Sequence, residues 1–329
     1  VIAVKPKILV TRAIFPHIIE YLSEHFDVED NQIDATYDDA ELVQRLQGKV
    51  GVFANPSHRF TAELFTACPS LKAVCNMAVG YNNIDVPAAT AAGVMVTNTP
   101  DVLNETTADF GWTLMMAAAR RVSESERYLR AGLWKKWQYD DFLGVDVHGS
   151  TLGVIGMGRI GQAIARRSMG FNMKVVYNNR TRLAPELEKA ANHAQYLSRD
   201  ELLRTADHVI LVLPYSPAVH HLIGAEQLAL MKPTATLVNI ARGGIVDDAA
   251  LINALKAGQI AAAGVDVFEN EPAFNPDFLS LKNVVLTSHI GSASVPTRHA
   301  MAYCAADNLI AALSAKRPPN LLNAETFKS

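Results

Sequence analysis

Cysteine is scarce in this chain of 329 residues: Cys68, Cys75 and Cys304 are the only three. An odd number at wide spacing makes neither a disulfide framework nor a close-set zinc pattern, and no metal site is expected. Charge of one sign is lacking too. Thirty basic residues against 33 acidic ones leave a net charge of −3, and the basic residues form no long run. Binding to nucleic acid or a membrane surface through net charge is therefore disfavoured, although a local basic patch is compatible with the composition. No apolar run approaches the ~18 residues of a membrane span. Short-period repeats and low-complexity tracts are missing as well. The first residues, Val1-Ile2-Ala3-Val4-Lys5, have neither the length nor the order of a signal peptide, and the chain does not begin with Met. The expectation is a reduced, cytoplasmic, water-soluble protein.

What is present is material for packed cores: 49% of residues are hydrophobic and 19% charged. At roughly 150 residues per domain the length suggests about two domains. Short β-branched runs alternate with helical stretches over the first hundred residues. Strands are predicted at Lys7–Val10, Val50–Phe53, Ala73–Met77 and Val94–Thr97, and helices at Pro16–His25, Asp39–Gln47, Ala62–Ala67 and Val86–Ala91. A longer helix is predicted from about Glu105 to Arg120, with Ala108, Trp112, Met115, Met116 and Ala119 at spacings of three and four. A second alternating block predicts strands at Leu152–Ile155, Lys174–Tyr177, His208–Leu213, Thr236–Ile240, Ala262–Val265 and Val284–Leu286, then a last helix over Pro296–Leu313. This alternation points to an α/β protein with doubly wound parallel sheets. Between the blocks lies a polar stretch holding Trp134, Trp137, Tyr139 and Phe142. It reads either as a loop folded on its own domain or as an arm for a partner subunit.

The most informative segment is Leu152-Gly153-Val154-Ile155-Gly156-Met157-Gly158-Arg159-Ile160-Gly161, an apolar strand running through three spaced glycines into a helix. A pyrophosphate needs a tight turn, close backbone approach and the positive end of a helix, and this arrangement supplies all three. The following strand ends in Asn178-Asn179-Arg180-Thr181-Arg182, where an NAD site would place Asp or Glu for the ribose hydroxyls. Asn178 cannot repel a 2′-phosphate, and Arg180 and Arg182 offer guanidinium groups to it. NADP(H) is therefore the preferred cofactor expected, with NAD(H) possible.

Three further segments each place a chemically useful residue just past a predicted strand. They are Asn239-Ile240-Ala241-Arg242-Gly243-Gly244, Gly264-Val265-Asp266-Val267-Phe268-Glu269-Asn270-Glu271-Pro272, and Ser288-His289-Ile290-Gly291-Ser292. Ligands of open α/β sheets bind at that edge. Reduction of a 2-keto acid needs a hydride, a proton and a hold on a carboxylate. Arg242 offers a planar fork for the carboxylate or carbonyl oxygen, His289 a proton for the developing alkoxide, and Glu271 an orienting carboxylate. Singly, each has an ordinary structural reading; their joint placement behind a dinucleotide turn favours catalysis.

With these segments in order and at these spacings, the sequence resembles the D-isomer-specific 2-hydroxyacid dehydrogenases over almost its whole length. The resemblance implies that Arg242, Glu271 and His289 are catalytic; Glu271 rather than Glu269 is the acid, since it precedes the proline. Ser288 stands where the family usually has proline. The resemblance further implies two Rossmann-like domains: a discontinuous substrate domain of residues 1–103 and 291–329, and an inserted cofactor domain of residues 104–290. It implies an active site in the cleft between them, closed by hinge motion. Its substrate loop matches Met77–Asp85, with the backbone N–H groups of Val79 and Gly80 on the substrate carboxylate. Cofactor contacts are implied for Thr106, Gly156, Gly158, Arg159, Ile160, Gly161, Asn178, Arg180, Arg182, Pro214, Ala241, Asp266 and Gly291. The Trp134/Trp137 arm resembles a dimerisation arm, so a homodimer is expected, with Trp137 reaching the neighbouring subunit's substrate pocket.

Within the family, the arm and turn are most similar to those of bacterial glyoxylate/hydroxypyruvate reductases and 2-ketogluconate reductases. The expected function is NADPH-dependent reduction of glyoxylate, hydroxypyruvate or 2-ketogluconate to the D-2-hydroxy acid. Phosphite dehydrogenases place lysine where Val79 stands, formate dehydrogenases pair their histidine with glutamine, and phosphoglycerate dehydrogenases usually use NAD. A phosphoglycerate- or phosphite-type substrate range is the alternative. A more distant one is an NAD(P)-binding corepressor-like interaction protein.

Overall fold

The computed structural model describes residues 4–327. They form two compact units: residues 4–103 with 294–327, and residues 104–293. The second boundary thus lies between Ala293 and Ser294, slightly beyond the crossing expected near 290.

In the first unit the chain runs through β1 (Lys7–Val10), α1 (Pro16–His25), β2 (Asp27–Glu29), α2 (Asp39–Leu46), β3 (Gly51–Ala54), α3 (Ala62–Ala67), β4 (Ala73–Asn76), α4 (Val86–Ala91) and β5 (Met95–Thr97). The sheet has the order β2-β1-β3-β4-β5, and every pairing in it is parallel. Strands β3 and β4 are buried at all their residues, as a parallel sheet covered on both faces requires. Leu42, Leu46, Leu64 and Phe65 cover one face. Ile18 and Leu22 cover the other, joined by Ala302, Ala305 and Leu309 from a helix late in the chain. Asp38, Thr61 and Asp85 cap α2, α3 and α4 through their side chains, which fixes where each helix starts.

The second unit opens with α5 (Asn104–Ala119) and α6 (Val122–Arg130). It continues through β6 (Thr151–Ile155), α7 (Arg159–Arg167), β7 (Lys174–Asn178), α8 (Pro185–Ala190), β8 (Gln195–Tyr196), α9 (Arg199–Thr205), β9 (His208–Leu211), α10 (Ala225–Leu228), β10 (Thr236–Asn239), α11 (Asp248–Lys256), β11 (Ala262–Val265) and β12 (Val284–Leu286). Its parallel sheet has the order β12-β11-β10-β9-β6-β7-β8. The chain reverses direction of growth between β6 and β9, so the turn after β6 opens at the switch point where such sheets bind ligands. Helix α5 packs on β10 and β11 of this sheet and on α7, where Trp112 Nε1 donates to Ile164 O at 3.0 Å and Arg167 pairs with Asp109 and Glu105. The last long helix, α12 (Val295–Leu313), belongs to the first unit.

The fold is α/β with two parallel sheets, as the alternation implies. Three elements were not anticipated. β2 and β8 are short edge strands of three and two residues, with little apolar signal. α6 lies where a polar arm is expected to begin. No residue of it is buried, its apolar residues Val122 and Leu129 being exposed, and the Arg121–Glu124 and Arg130–Glu126 pairs brace its surface. Among the described residues no helix is long and apolar enough to cross a membrane.

Candidate active site

The glycine turn joins β6 to α7. Gly156 has φ +102°, in the region glycine favours, and its N–H donates to Asn178 O at 3.0 Å. A Cβ there would lie 2.6 Å from Val212 O, and one at Gly161 2.2 Å from Gly156 O, so both positions demand close backbone packing. Gly158 differs: a Cβ there would meet nothing within 4 Å. Its missing side chain leaves open space outside the turn, and no side chain caps the start of α7. An uncapped helix start behind a bare backbone fits a dinucleotide pyrophosphate. Arg159 and Ile160 occupy the first turn of α7.

At the end of β7 the expected groups divide. Asn178 Nδ2 donates to Leu197 O at 2.8 Å, which ties that side chain to the protein. Arg182 is held at Nε and Nη2 by both oxygens of Glu188, at 2.8 and 3.0 Å. Arg182 and the Tyr177 hydroxyl hold the Glu188 carboxyl below its ordinary value. Of the two guanidinium groups expected to face a 2′-phosphate, Arg182 is therefore already paired. Arg180 is exposed and makes no ion pair among the described residues. Glu188 stands on α8, where no sequence pattern links it to the end of β7.

Arg242, Glu271 and His289 follow β10, β11 and β12, three adjacent strands at one edge of the sheet, and so leave from one edge of it. The turn bearing Arg242 is braced by Asn239, whose Oδ1 accepts from Ala241 N at 3.0 Å and whose Nδ2 donates to Arg242 O at 3.3 Å. Burial pulls the Arg242 guanidinium below its ordinary value, and the Glu271 carboxylate opposes that pull. His289 Nδ1 donates to Glu271 Oε2 at 2.8 Å, and Phe268 N donates to Oε1 at 2.8 Å. Burial works to raise the Glu271 carboxyl, but the His289 bond, the Phe268 amide and Arg242 outweigh it and hold it low. Glu271 is thus an ionised acceptor that fixes the imidazole, while His289 Nε2 has no protein partner among the described residues.

Asp266 supports the histidine. It is 1% exposed, and its carboxylate accepts from Thr287 Oγ1, Ile290 N and Gly291 N at 2.7, 2.8 and 2.9 Å. His289 itself sits at φ +57°, an uncommon conformation for a side-chain-bearing residue, and its N–H donates to Asp266 O. The loop carrying Glu271 has a second anchor that the sequence did not reveal. Glu269 N donates to the buried Asp248 at 3.0 Å, and Glu269 Oε1 accepts from His221 Nε2. Burial pushes the Asp248 carboxyl up to about 6. His220, His221 and Glu269 have donor atoms within 4.8 Å of one another, the one such group among the described residues. The two imidazoles stack 3.9 Å apart at 21°.

The remaining expected residues are distributed as follows. Pro214, Ala241 and Gly291 lie just past β9, β10 and β12, and Thr106 in the first turn of α5. Val79 and Gly80 lie in the first unit on the loop after β4, and their N–H groups have no partner among the described residues. Trp137 is 67% exposed and packs edge-on against Tyr139.

Comparison with known proteins agrees with this geometry. The model of the D-isomer specific 2-hydroxyacid dehydrogenase NAD-binding domain matches residues 112–291. A glyoxylate reductase of Thermococcus onnurineus is 49% identical over 327 residues, spanning 98% of this chain and 97% of that one. A glyoxylate reductase of Korarchaeum cryptofilum is 46% identical, spanning 98% of each. Among solved structures, an NADPH-dependent glyoxylate/hydroxypyruvate reductase of Sinorhizobium meliloti in complex with NADP and malonate superimposes with a TM-score of 0.88 at 35% identity, covering 99% of each chain.

Proposed function

The chain belongs to the D-isomer-specific 2-hydroxyacid dehydrogenases, and we propose that it reduces a small 2-keto acid, glyoxylate or hydroxypyruvate first and 2-ketogluconate as the larger candidate, with NADPH. One observation carries the reading: an imidazole fixed through Nδ1 by an ionised carboxylate, with Nε2 left for substrate, on the strand edge that also bears Arg242. The glyoxylate reductases and the glyoxylate/hydroxypyruvate reductase among the similar proteins support the substrate class.

Gly156, Gly158, Gly161 and the start of α7 would hold the cofactor pyrophosphate. The reduced nicotinamide supplies a hydride when bound. In the first unit the amides of Val79 and Gly80 are the candidates for a substrate carboxylate; in the second, Arg242 is the candidate for binding and orienting a keto acid. As charge develops on the carbonyl oxygen, His289 delivers the proton from Nε2. Glu271 keeps the ring turned for that transfer.

The preference for NADPH rests on the absence of an acid at Asn178 and on the unengaged guanidinium of Arg180. The test is NADPH absorbance loss on adding glyoxylate or hydroxypyruvate, repeated with NADH. Replacing Arg180 with alanine should lower kcat/KM for NADPH about tenfold or more, the loss of a charged hydrogen bond, and leave NADH use unchanged. Equal or better turnover with NADH in the wild type would end the NADPH preference; no turnover with either would end the enzymatic reading.

The second unit also exposes Leu133, Trp134, Trp137, Tyr139 and Leu143 on one short segment. A groove of about 830 Å³ lies elsewhere on that unit, lined by Trp112, Met116 and Phe171. So much exposed apolar surface is unusual for a monomer. The arm is read as an exchange between two copies of the chain, with Trp137 as the residue that enters the partner's pocket. Sedimentation should then show twice the 35.7 kDa chain mass. A Leu133→Lys, Trp134→Lys double variant should sediment as a monomer; a monomeric wild type would refute the arrangement.

A further inference from the structure

The loop expected to receive the substrate carboxylate has a carbonyl edge and an amide edge, and the structure treats them differently. On the carbonyl edge three successive oxygens are occupied. Ala78 O accepts from Thr99 N at 2.9 Å, Val79 O from Asn98 Nδ2 at 2.9 Å, and Gly80 O from Asn76 Nδ2 at 3.0 Å. On the amide edge, Val79, Gly80 and Tyr81 donate to nothing among the described residues. A run of unpaired N–H groups with its acceptors tied away is an anion-binding arrangement.

The two asparagines are unusual where they stand. Asn76 is fully buried at the end of β4 and Asn98 is 8% exposed just past β5, positions where an unbonded amide is costly. Asn76 is bonded through its donor only: Nδ2 reaches Gly80 O and Asn83 Oδ1, while Oδ1 is buried without a partner. Two acceptors around Nδ2 also fix which way the amide points. Without these bonds the peptides at Val79–Gly80 and Gly80–Tyr81 are free to flip. A flip would exchange an N–H for a carbonyl oxygen, which repels a carboxylate.

We propose that Asn98 and Asn76 are positioning residues for substrate binding: Asn98 clamps the Val79 carbonyl and with it the plane of the Gly80 N–H, and Asn76 clamps the Gly80 carbonyl and with it the plane of the Tyr81 N–H, so that the amide edge of the loop stays presented to the substrate carboxylate. This rests on the keto-acid reductase reading above. The contact is made alike in the ground and transition states, so its loss acts on KM rather than kcat.

The test compares the wild type with Asn98→Asp, which keeps the shape and withdraws the donor, and with Asn98→Ala, which removes the bond without adding charge. Steady-state kinetics with glyoxylate and NADPH are run beside competitive inhibition by oxamate, with thermal denaturation as the check on folding. The glyoxylate KM and the oxamate inhibition constant should rise about tenfold in Asn98→Asp and somewhat less in Asn98→Ala, while the NADPH KM holds. Should the aspartate variant fail to fold, the alanine variant decides. A folded variant with unchanged KM and oxamate inhibition overturns the proposal. So does loss of folding in both variants, or an equal loss of NADPH binding, because the residue would then serve stability alone. A wild type that reduces neither glyoxylate nor hydroxypyruvate is a distinct outcome, which removes the functional reading itself.

Discussion

Replacing His289 with glutamine is expected to lower kcat for keto-acid reduction by about 10²–10⁴-fold while NADPH still binds. Glutamine approximates the length of the imidazole and retains polar atoms, but it has no proton to give at physiological pH. The hydride leaves a negative charge on the carbonyl oxygen, and without an acid at Nε2 that charge must wait for water. The separation of effects follows from placement. His289 stands past β12, whereas the glycine turn stands past β6, with three strands between them in the sheet. The loop around residue 289 is held by three donors to the Asp266 carboxylate, none of which is the imidazole. The substitution therefore removes the acid without loosening its support. Stopped-flow measurement of NADPH oxidation separates the chemical step from product release. A variant whose hydride-transfer rate matched the wild type would show that another group supplies the proton.

Much of the fold was legible because both sheets are parallel and covered. Strands such as β9, β10 and β11 are buried at every residue, so each carries a short apolar run, with polar residues (His208, Thr236, Asn239) only at the strand ends. The catalytic candidates were legible for a related reason: Arg242, Glu271 and His289 lie three, six and three residues past β10, β11 and β12, and the strand end is where this topology exposes side chains. The partners of those residues were hidden. Glu271 and His289 are 18 positions apart and meet because β11 and β12 are neighbours. Asp248 and His221 reach the Glu271 loop from the start of α11 and from a segment before α10, with no periodicity linking them. Arg182 looked like a phosphate ligand until Glu188, on α8, proved to hold it. Polar pairing across distant segments leaves no pattern in a single sequence, whereas burial leaves a period.

Replacing Arg242 with lysine should cost about 10²-fold in kcat/KM, although the charge is nominally kept. In the structure Arg242 Nη1 donates to Ala241 O at 2.7 Å, which pins one arm of the fork. Its other guanidinium nitrogens have no hydrogen bond among the described residues. The free side of a pinned planar group is suited to two parallel bonds, and a lysine ammonium cannot reproduce that geometry. Burial adds a second loss. It already pulls the guanidinium below its ordinary value, against the opposing Glu271 carboxylate. A guanidinium starts so high that it stays charged, but a lysine starts near 10.4 and loses part of its charge under the same burial. Lysine therefore forfeits direction first and charge second. Comparison with Arg242→Ala divides the two: if lysine and alanine are equally poor, orientation is what arginine supplies. If lysine restores most of the wild-type kcat/KM, the fork has no special role and Arg242 acts as a simple positive charge beside the substrate.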